Sequence, residues 1–156
     1  MTSQLKPVTL ATIFSEVLAN LAFMFTEEPT EEAVADTTWL ETAISYDGPH
    51  RGTLRFRCTK EFTVHLAANL LGAELEAAEA ETGAVDAVKE LVNILCGQFV
   101  TSVHGTNEVY DLSIPRISEL PEAPDMTLGD GPTLATLGVD GHQVQLAYDP
   151  QDTAGV

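Results

Sequence analysis

Basic residues are scarce: 7 Lys+Arg stand against 24 Asp+Glu in 156 residues, a formal net charge of -17. Nucleic-acid affinity is largely basic charge displacing counterions, so a phosphate-backbone ligand falls away. An anionic membrane surface would repel the chain for the same reason. No apolar run approaches the ~20 residues that a spanning helix needs. The opening MTSQLKPVTL has no basic region followed by a long apolar stretch, so it does not read as a signal peptide. The expected location is the cytoplasm. Cysteine is nearly absent as well. Cys58 and Cys96 lie far apart in apolar company and read as two buried thiols, with one disulfide as the alternative. There is no CxxC, no HExxH and no close His/Cys cluster, so no metal site is expected. His50, His65, His104 and His142 are scattered and are expected to be solvated or core residues. Aromatics are only 6%, which leaves Leu, Val, Ile and Ala to fill a core.

What is present suffices for one domain. Hydrophobic residues make up 44% of the chain, enough to close a single core. Neither a repeat nor a second domain is visible. The expectation is one domain over 1–156, with its core over about 10–148 and a flexible tail over 149–156. Leu10, Ile13, Phe14, Val17, Leu18, Leu21 and Phe25 recur at gaps of three and four, a helical stripe over about 9–25. Its phenylalanines Phe14, Phe23 and Phe25 read as core. The acidic stretch TEEPTEEAVAD reads as a connection. In TTWLETAISY and GTLRFRC, apolar residues alternate around the turn-rich Asp47-Gly48-Pro49-His50-Arg51-Gly52, which predicts an antiparallel hairpin. Thr59 is placed to cap a short helix that stops at Gly72. The Ala/Glu segment 73–82 fits a loop or a helical extension equally well. A long helix follows over about 84–104. After it come a strand in EVYDLSIPRI, a Pro/Glu-rich loop, short strands or turns in TLGDGPTLATLGVDG, and a last strand in HQVQLAY. The fold class is α+β, with helices packed on a mainly antiparallel sheet.

The long helix carries the strongest signal. At ~100° per residue, Val85, Val88, Val92, Leu95 and Phe99 form one stripe, and Asp86, Glu90, Asn93 and Gly97 form a second about 150° away. The first is expected to be buried and the second presented together. An acidic helix face is often only a solvated face. Gly97 argues for more, because glycine inside a helix costs roughly 1 kcal/mol against alanine and needs a packing or functional reason.

The run Asp86-Ala-Val-Lys-Glu90-Leu-Val-Asn93-Ile-Leu-Cys-Gly97 resembles the Asp/Ser-x3-Glu-x2-Asn signature of the CheC/CheX/FliY chemotaxis phosphatases, with Gly97 suiting the CheX branch. The order of elements is similar too: a first amphipathic helix, a hairpin, a helix ending in Leu-Leu-Gly, the signature helix, then Ser113-Ile114-Pro115. The likeness spans about 10–148 and is weaker over 120–140. It implies a CheC-like fold and hydrolysis of the phosphoaspartate of a CheY-type response regulator. It also implies that Asn93 orients water, that Glu90 pairs with the regulator's active-site lysine, and that Mg²⁺ belongs to the regulator rather than to this chain. Asp86 and Gly97 are then partner contacts, Asp86 at the rim. A homodimer is implied as well, paired through the hairpin or the C-terminal strand.

CheC-type members carry a second signature on the first helix. Glu16-Val-Leu-Ala-Asn20 has a gap of four there instead of three and reads as a decayed or coincidental copy. Arg51, Arg55, Arg57 and Lys60 crowd one decapeptide and read as charge balance against the chain's own carboxylates, the alternative being an acidic partner or a dimer edge. His104 falls on the Glu90 side of the helix and reads as a solvated helix-end histidine. The competing hypothesis is a non-catalytic module that keeps the fold and docking face, or a scaffold in a signalling or flagellar-switch complex. Such an acidic chain predicts that moderate salt leaves regulator binding largely intact.

Overall fold

A computed structural model describes residues 7–28, 37–71, 77–105, 107–125 and 133–151. Among these residues, three helices, α1 (Pro7–Ala22), α2 (Lys60–Leu71) and α3 (Ala77–His104), accompany seven strands. The strands are β1 (Thr26–Glu27), β2 (Trp39–Asp47), β3 (Gly52–Thr59), β4 (Asp111–Leu112), β5 (Arg116–Glu119), β6 (Leu134–Val139) and β7 (His142–Pro150). Every pairing is antiparallel, in the order β1-β6-β7-β3-β2-β4, with β5 also on β2.

Register follows from the period-2 apolar pattern. Ile44 pairs with Leu54 and Thr42 with Phe56, while across β3 Leu54 meets Tyr148, Phe56 meets Leu146 and Cys58 meets Val144. This face packs under the helices, joining Phe14, Leu18, Phe62, Leu66, Val88, Leu95 and Phe99 in one core. The opposite face lines up Glu41, Arg57 and Gln145 across three strands. There Arg57 donates to Glu41 at 2.8 Å and to Gln145 at 2.7 Å. Arg55 lies 3.7 Å from Glu41 and 3.6 Å from Asp149, and Arg51 lies 3.3 Å from Asp47. The arginine cluster is thus charge balance.

Local signals place the helix ends. The Phe62 N–H donates to Thr59 Oγ1 at 3.1 Å, the N-cap bond expected of Thr59. Asn69 Nδ2 donates to the Ala22 carbonyl at 3.0 Å, satisfying an orphan acceptor at the end of α1. Past α3, Gly105 adopts φ +85° and its N–H reaches the Thr101 carbonyl at 3.0 Å, a left-handed cap.

Several expectations shift. The Ala/Glu segment resolves toward helix, because α3 begins at Ala77; residues 72–76 lie outside the described residues. The connection after α1 opens with a short strand, where Thr26 pairs with Val139 and Glu27 with Gly138; residues 29–36 are outside the described residues. The single strand expected over 108–117 is two short ones, both paired to β2. They part at Pro115, which has no N–H to give to a ladder. The expected tail is still strand at its start. β7 runs to Pro150, and the Gln151 N–H donates to the Arg51 carbonyl at 3.0 Å. The first helix closes at Ala22, and of its three phenylalanines only Phe14 is core; Phe23 is 76% and Phe25 61% exposed. Phe23 stands at φ 53°, a left-handed position that turns the chain out of the helix and its side chain into solvent.

Candidate functional site

α3 is 28 residues long, about 42 Å at 1.5 Å per residue. Val88, Leu91, Val92, Leu95, Cys96 and Phe99 are buried along its inner side. Val85 departs from the expected buried stripe at 43% exposure, because it lines an open cleft with Leu40 and Ile117 rather than packing in the core. The other four members of that stripe are buried as expected.

The second stripe faces outward. Asp86, Glu90 and Asn93 are exposed, and Gly97 is half-buried. Positions three and four apart on a helix stand about 5–6 Å apart at Cβ, so these side chains form one short row. Among the described residues, no hydrogen bond or ion pair engages Asp86, Glu90 or Asn93. A carboxylate and an amide are therefore presented on a rigid, core-packed helix with their polar atoms unspent. A carboxylate so placed can recruit a cation, and an amide can hold water as donor and acceptor together. A Cβ built on Gly97 meets nothing within 4 Å, so the chain's own packing gives no reason for glycine there.

Glu16 and Asn20 are exposed on α1 and line a cleft of about 310 Å³ with Ile94, Gln98 and Ser102 of α3. The two Glu/Asn pairs thus share the outer side of the helical layer. At ~100° per residue, Asn93 lies about 60° to one side of Glu90 and Asn20 about 40° to the other side of Glu16.

The histidines were not legible as pairs. His104 is not a solvated end residue: it is half-buried, and its Nε2 lies 2.9 Å from the Tyr46 hydroxyl. Its ring stacks on His50 at 4.2 Å and 8°. The Tyr46 hydroxyl also lies 2.7 Å from that of Tyr148, so the end of α3 is stapled to the hairpin and to the last strand. His65 Nδ1 lies 3.0 Å from His142 Nε2. Burial, reinforced by His65, holds the His142 imidazole below its ordinary value of 6.5. Thr37 donates to the Glu61 carboxylate, and that bond holds the carboxyl below its ordinary value of 4.5. Each pair joins residues from separate elements, a contact that helical and strand periods do not encode. Cys58 and Cys96 are free buried thiols, and burial pushes Cys96 up to about 12 and Cys58 higher still. No described helix is long and apolar enough to cross a membrane. No group of three or more His, Cys, Asp or Glu suited to a metal occurs among the described residues.

The family model described as chemotaxis phosphatase CheX matches residues 41–123, a span that includes the whole outward row on α3. The chain is similar in fold to the chemotaxis protein CheX from Desulfovibrio desulfuricans, at 14% identity and a TM-score of 0.63, covering 91% of this chain and 96% of that one. It is also similar to the CheX–CheY–BeF3–Mg complex structure from Borrelia burgdorferi, at 16% identity and a TM-score of 0.62, covering 92% and 96%. Thermotoga maritima FliY is similar at 14% identity and a TM-score of 0.54, covering 92% and 85%. No curated protein matches the sequence.

Proposed function

Because the chain belongs to the CheX family of chemotaxis phosphatases, we propose that it hydrolyses the phosphoaspartate of a CheY-type response regulator through Asn93 and Glu90. The observation that carries this reading is the exposed, unengaged Glu90–Asn93 pair on a helix otherwise locked into the core. Asn93 enters the regulator's phosphorylation site, and its amide holds a water in line with the phosphorus–carboxylate bond. The water oxygen bonds to phosphorus as the bond to the aspartyl oxygen breaks. The aspartate leaves as a carboxylate, and the water's protons end on phosphate and solvent. Glu90 forms an ion pair with the regulator's active-site lysine and fixes the docked geometry.

An acyl phosphate is already activated, so positioning the water supplies acceleration without a covalent intermediate. The Mg²⁺ that stabilises charge on the transferring phosphoryl group belongs to the regulator in this reading. The similar Borrelia structure is a CheX–CheY complex with BeF3 and Mg, which supports a CheY-type partner and the presence of Mg²⁺ in the complex. Asp86 is a rim contact, and Gly97 lets the partner's backbone come close. The protein acts as a cytoplasmic homodimer, and light scattering that gives a monomer at working concentration would remove the dimer from this reading.

The test is phosphate release from a phosphorylated CheY-type regulator with and without the protein, alongside Asn93→Ala and Glu90→Ala variants whose folding is checked by circular dichroism. Wild type is expected to accelerate release, Asn93→Ala to abolish the acceleration, and Glu90→Ala to weaken it at least tenfold. Binding without acceleration by wild type would replace this reading with a non-catalytic docking module.

A further inference from the structure

Asn93 and Glu90 account for the chemistry and leave unused the furrow that continues from them. α3 and the segment leading into β4 enclose about 260 Å³ between Gly97, Val100, Thr101, Glu108, Tyr110 and Leu112. At ~100° per residue, Val100 lies only about 20° around the helix from Asn93, two turns further on. With Gly97 and Thr101 beside it, the furrow continues the line of the row toward the end of α3.

Two observations and the proposed docking give it an occupant. Gly97 is the first: the glycine costs roughly 1 kcal/mol in helix propensity, yet a Cβ there would meet nothing within 4 Å. The space is kept clear for something outside this chain. The second is the rim. Leu112 on the furrow wall is 36% exposed, and with Val109 (86%) and Ile114 (80%) in the same stretch of chain it makes three of the six large hydrophobic residues exposed among the described residues. The third is continuity, for a receiver domain that puts its phosphoaspartate against Asn93 lays its neighbouring surface over the next turns of the same helix.

Charge points the same way. A partner is anionic where it carries a phosphoaspartate, and this chain has a net charge of -17, so long-range attraction cannot hold the two together. Apolar burial beside the site can. On the phosphatase reading, we infer that the furrow takes one apolar side chain, aliphatic or aromatic, from the receiver surface next to its phosphorylation site. It thereby determines which receivers are substrates. Glu108, on the wall, selects against an acidic residue at that receiver position.

The test uses the full chain and a beryllofluoride-activated, Mg²⁺-loaded receiver domain, with calorimetry for Kd and phosphate release for KM and kcat. Thr101→Trp fills the furrow and Leu112→Asp makes its rim anionic; both positions are exposed, so the fold survives. Each variant is expected to raise Kd and KM at least tenfold, the loss appearing there rather than in kcat. Phe25→Ser removes an exposed aromatic elsewhere and is expected to leave Kd within twofold. Wild-type affinity in both furrow variants, with wild-type acceleration intact and Asn93→Ala inactive, would overturn the furrow alone. A wild-type protein that neither binds nor accelerates any receiver would overturn the phosphatase reading and the furrow with it. Loss of self-association in the furrow variants, at unchanged receiver Kd, would give the furrow to a second copy of this chain.

Discussion

α1 and α3 lie in the same helical layer, and each turns a glutamate and an asparagine to solvent, yet only on α3 does open space follow the pair. On α3 the pair is Glu90 and Asn93, and seven residues after the glutamate stands Gly97, open on its outer side. On α1 the pair is Glu16 and Asn20, and seven residues after the glutamate stands Phe23, 76% exposed. The asparagines also turn to opposite sides of their glutamates. A partner seated on α3 meets a carboxylate, an amide and free space in sequence; one seated likewise on α1 meets the amide displaced and a phenyl ring where the space should be. Residue types alone do not make a site. Their angular order around the helix and the clearance beside them decide it.

The largest expected effect breaks the comparison directly. Asn93→Ala should remove the acceleration of phosphate release, a loss of at least 100-fold, whereas Asn20→Ala should change it less than twofold. Equal losses would mean that α1 is a working second site. Next is His104→Ala, which frees the end of α3 from Tyr46 while α1 keeps its own cap from Asn69. The bond is part-buried and the Tyr46 hydroxyl keeps Tyr148 as a partner, so its loss predicts about 0.5–1.5 kcal/mol of destabilisation, visible as a lower Tm. A native Tm would show that the staple adds nothing.

Acid acts more gently and away from both outer rows. His142 in the folded chain sits below its ordinary 6.5, so the unfolded chain takes up the proton first. Its contribution to stability is complete above pH 6.5 and is lost as pH falls below that value toward the depressed folded one. Thermal melts between pH 7.5 and pH 5 should show the decline, His142→Asn should flatten that part of it, and the ratio between the Asn93→Ala and Asn20→Ala variants should not move. The smallest effect is at the end of α1. Phe23 holds φ 53° without being glycine. Relieving about 1–2 kcal/mol of left-handed strain against about 0.5–1 kcal/mol of glycine entropy predicts a net gain near 0.5 kcal/mol for Phe23→Gly. A lower Tm would mean that the phenyl ring is held by contacts worth more than its strain.

Much of this is legible in the amino-acid sequence. The hairpin, the capped α2 and the α3 row follow from local periodicity, because solvent exposure on one side and burial on the other leave a repeating trace in the chain. Thr59 announced its helix through side-chain chemistry. Where sequence reasoning failed, the deciding partner was distant. Val85 matches its stripe in every local respect, yet it lines an open cleft beside Leu40 and Ile117. Phe25 fits the helical spacing, but the chain has left the helix at Phe23. Pro115 was visible, and its cost to the ladder divides one expected strand into two.

Local patterning accounts for the β2–β3 hairpin, the capped α2 and which α3 residues share a face. Those depend on residues a few positions apart and on one backbone geometry. Long-range packing alone settles that His104 is a staple rather than a solvated end, that Gly97 has nothing of its own chain to accommodate, and that a furrow continues the α3 row. Each of these depends on groups brought together from separate elements, such as Tyr46 with His104 or Thr101 with Leu112. No local pattern encodes such meetings, because the packing of the whole core sets the distances.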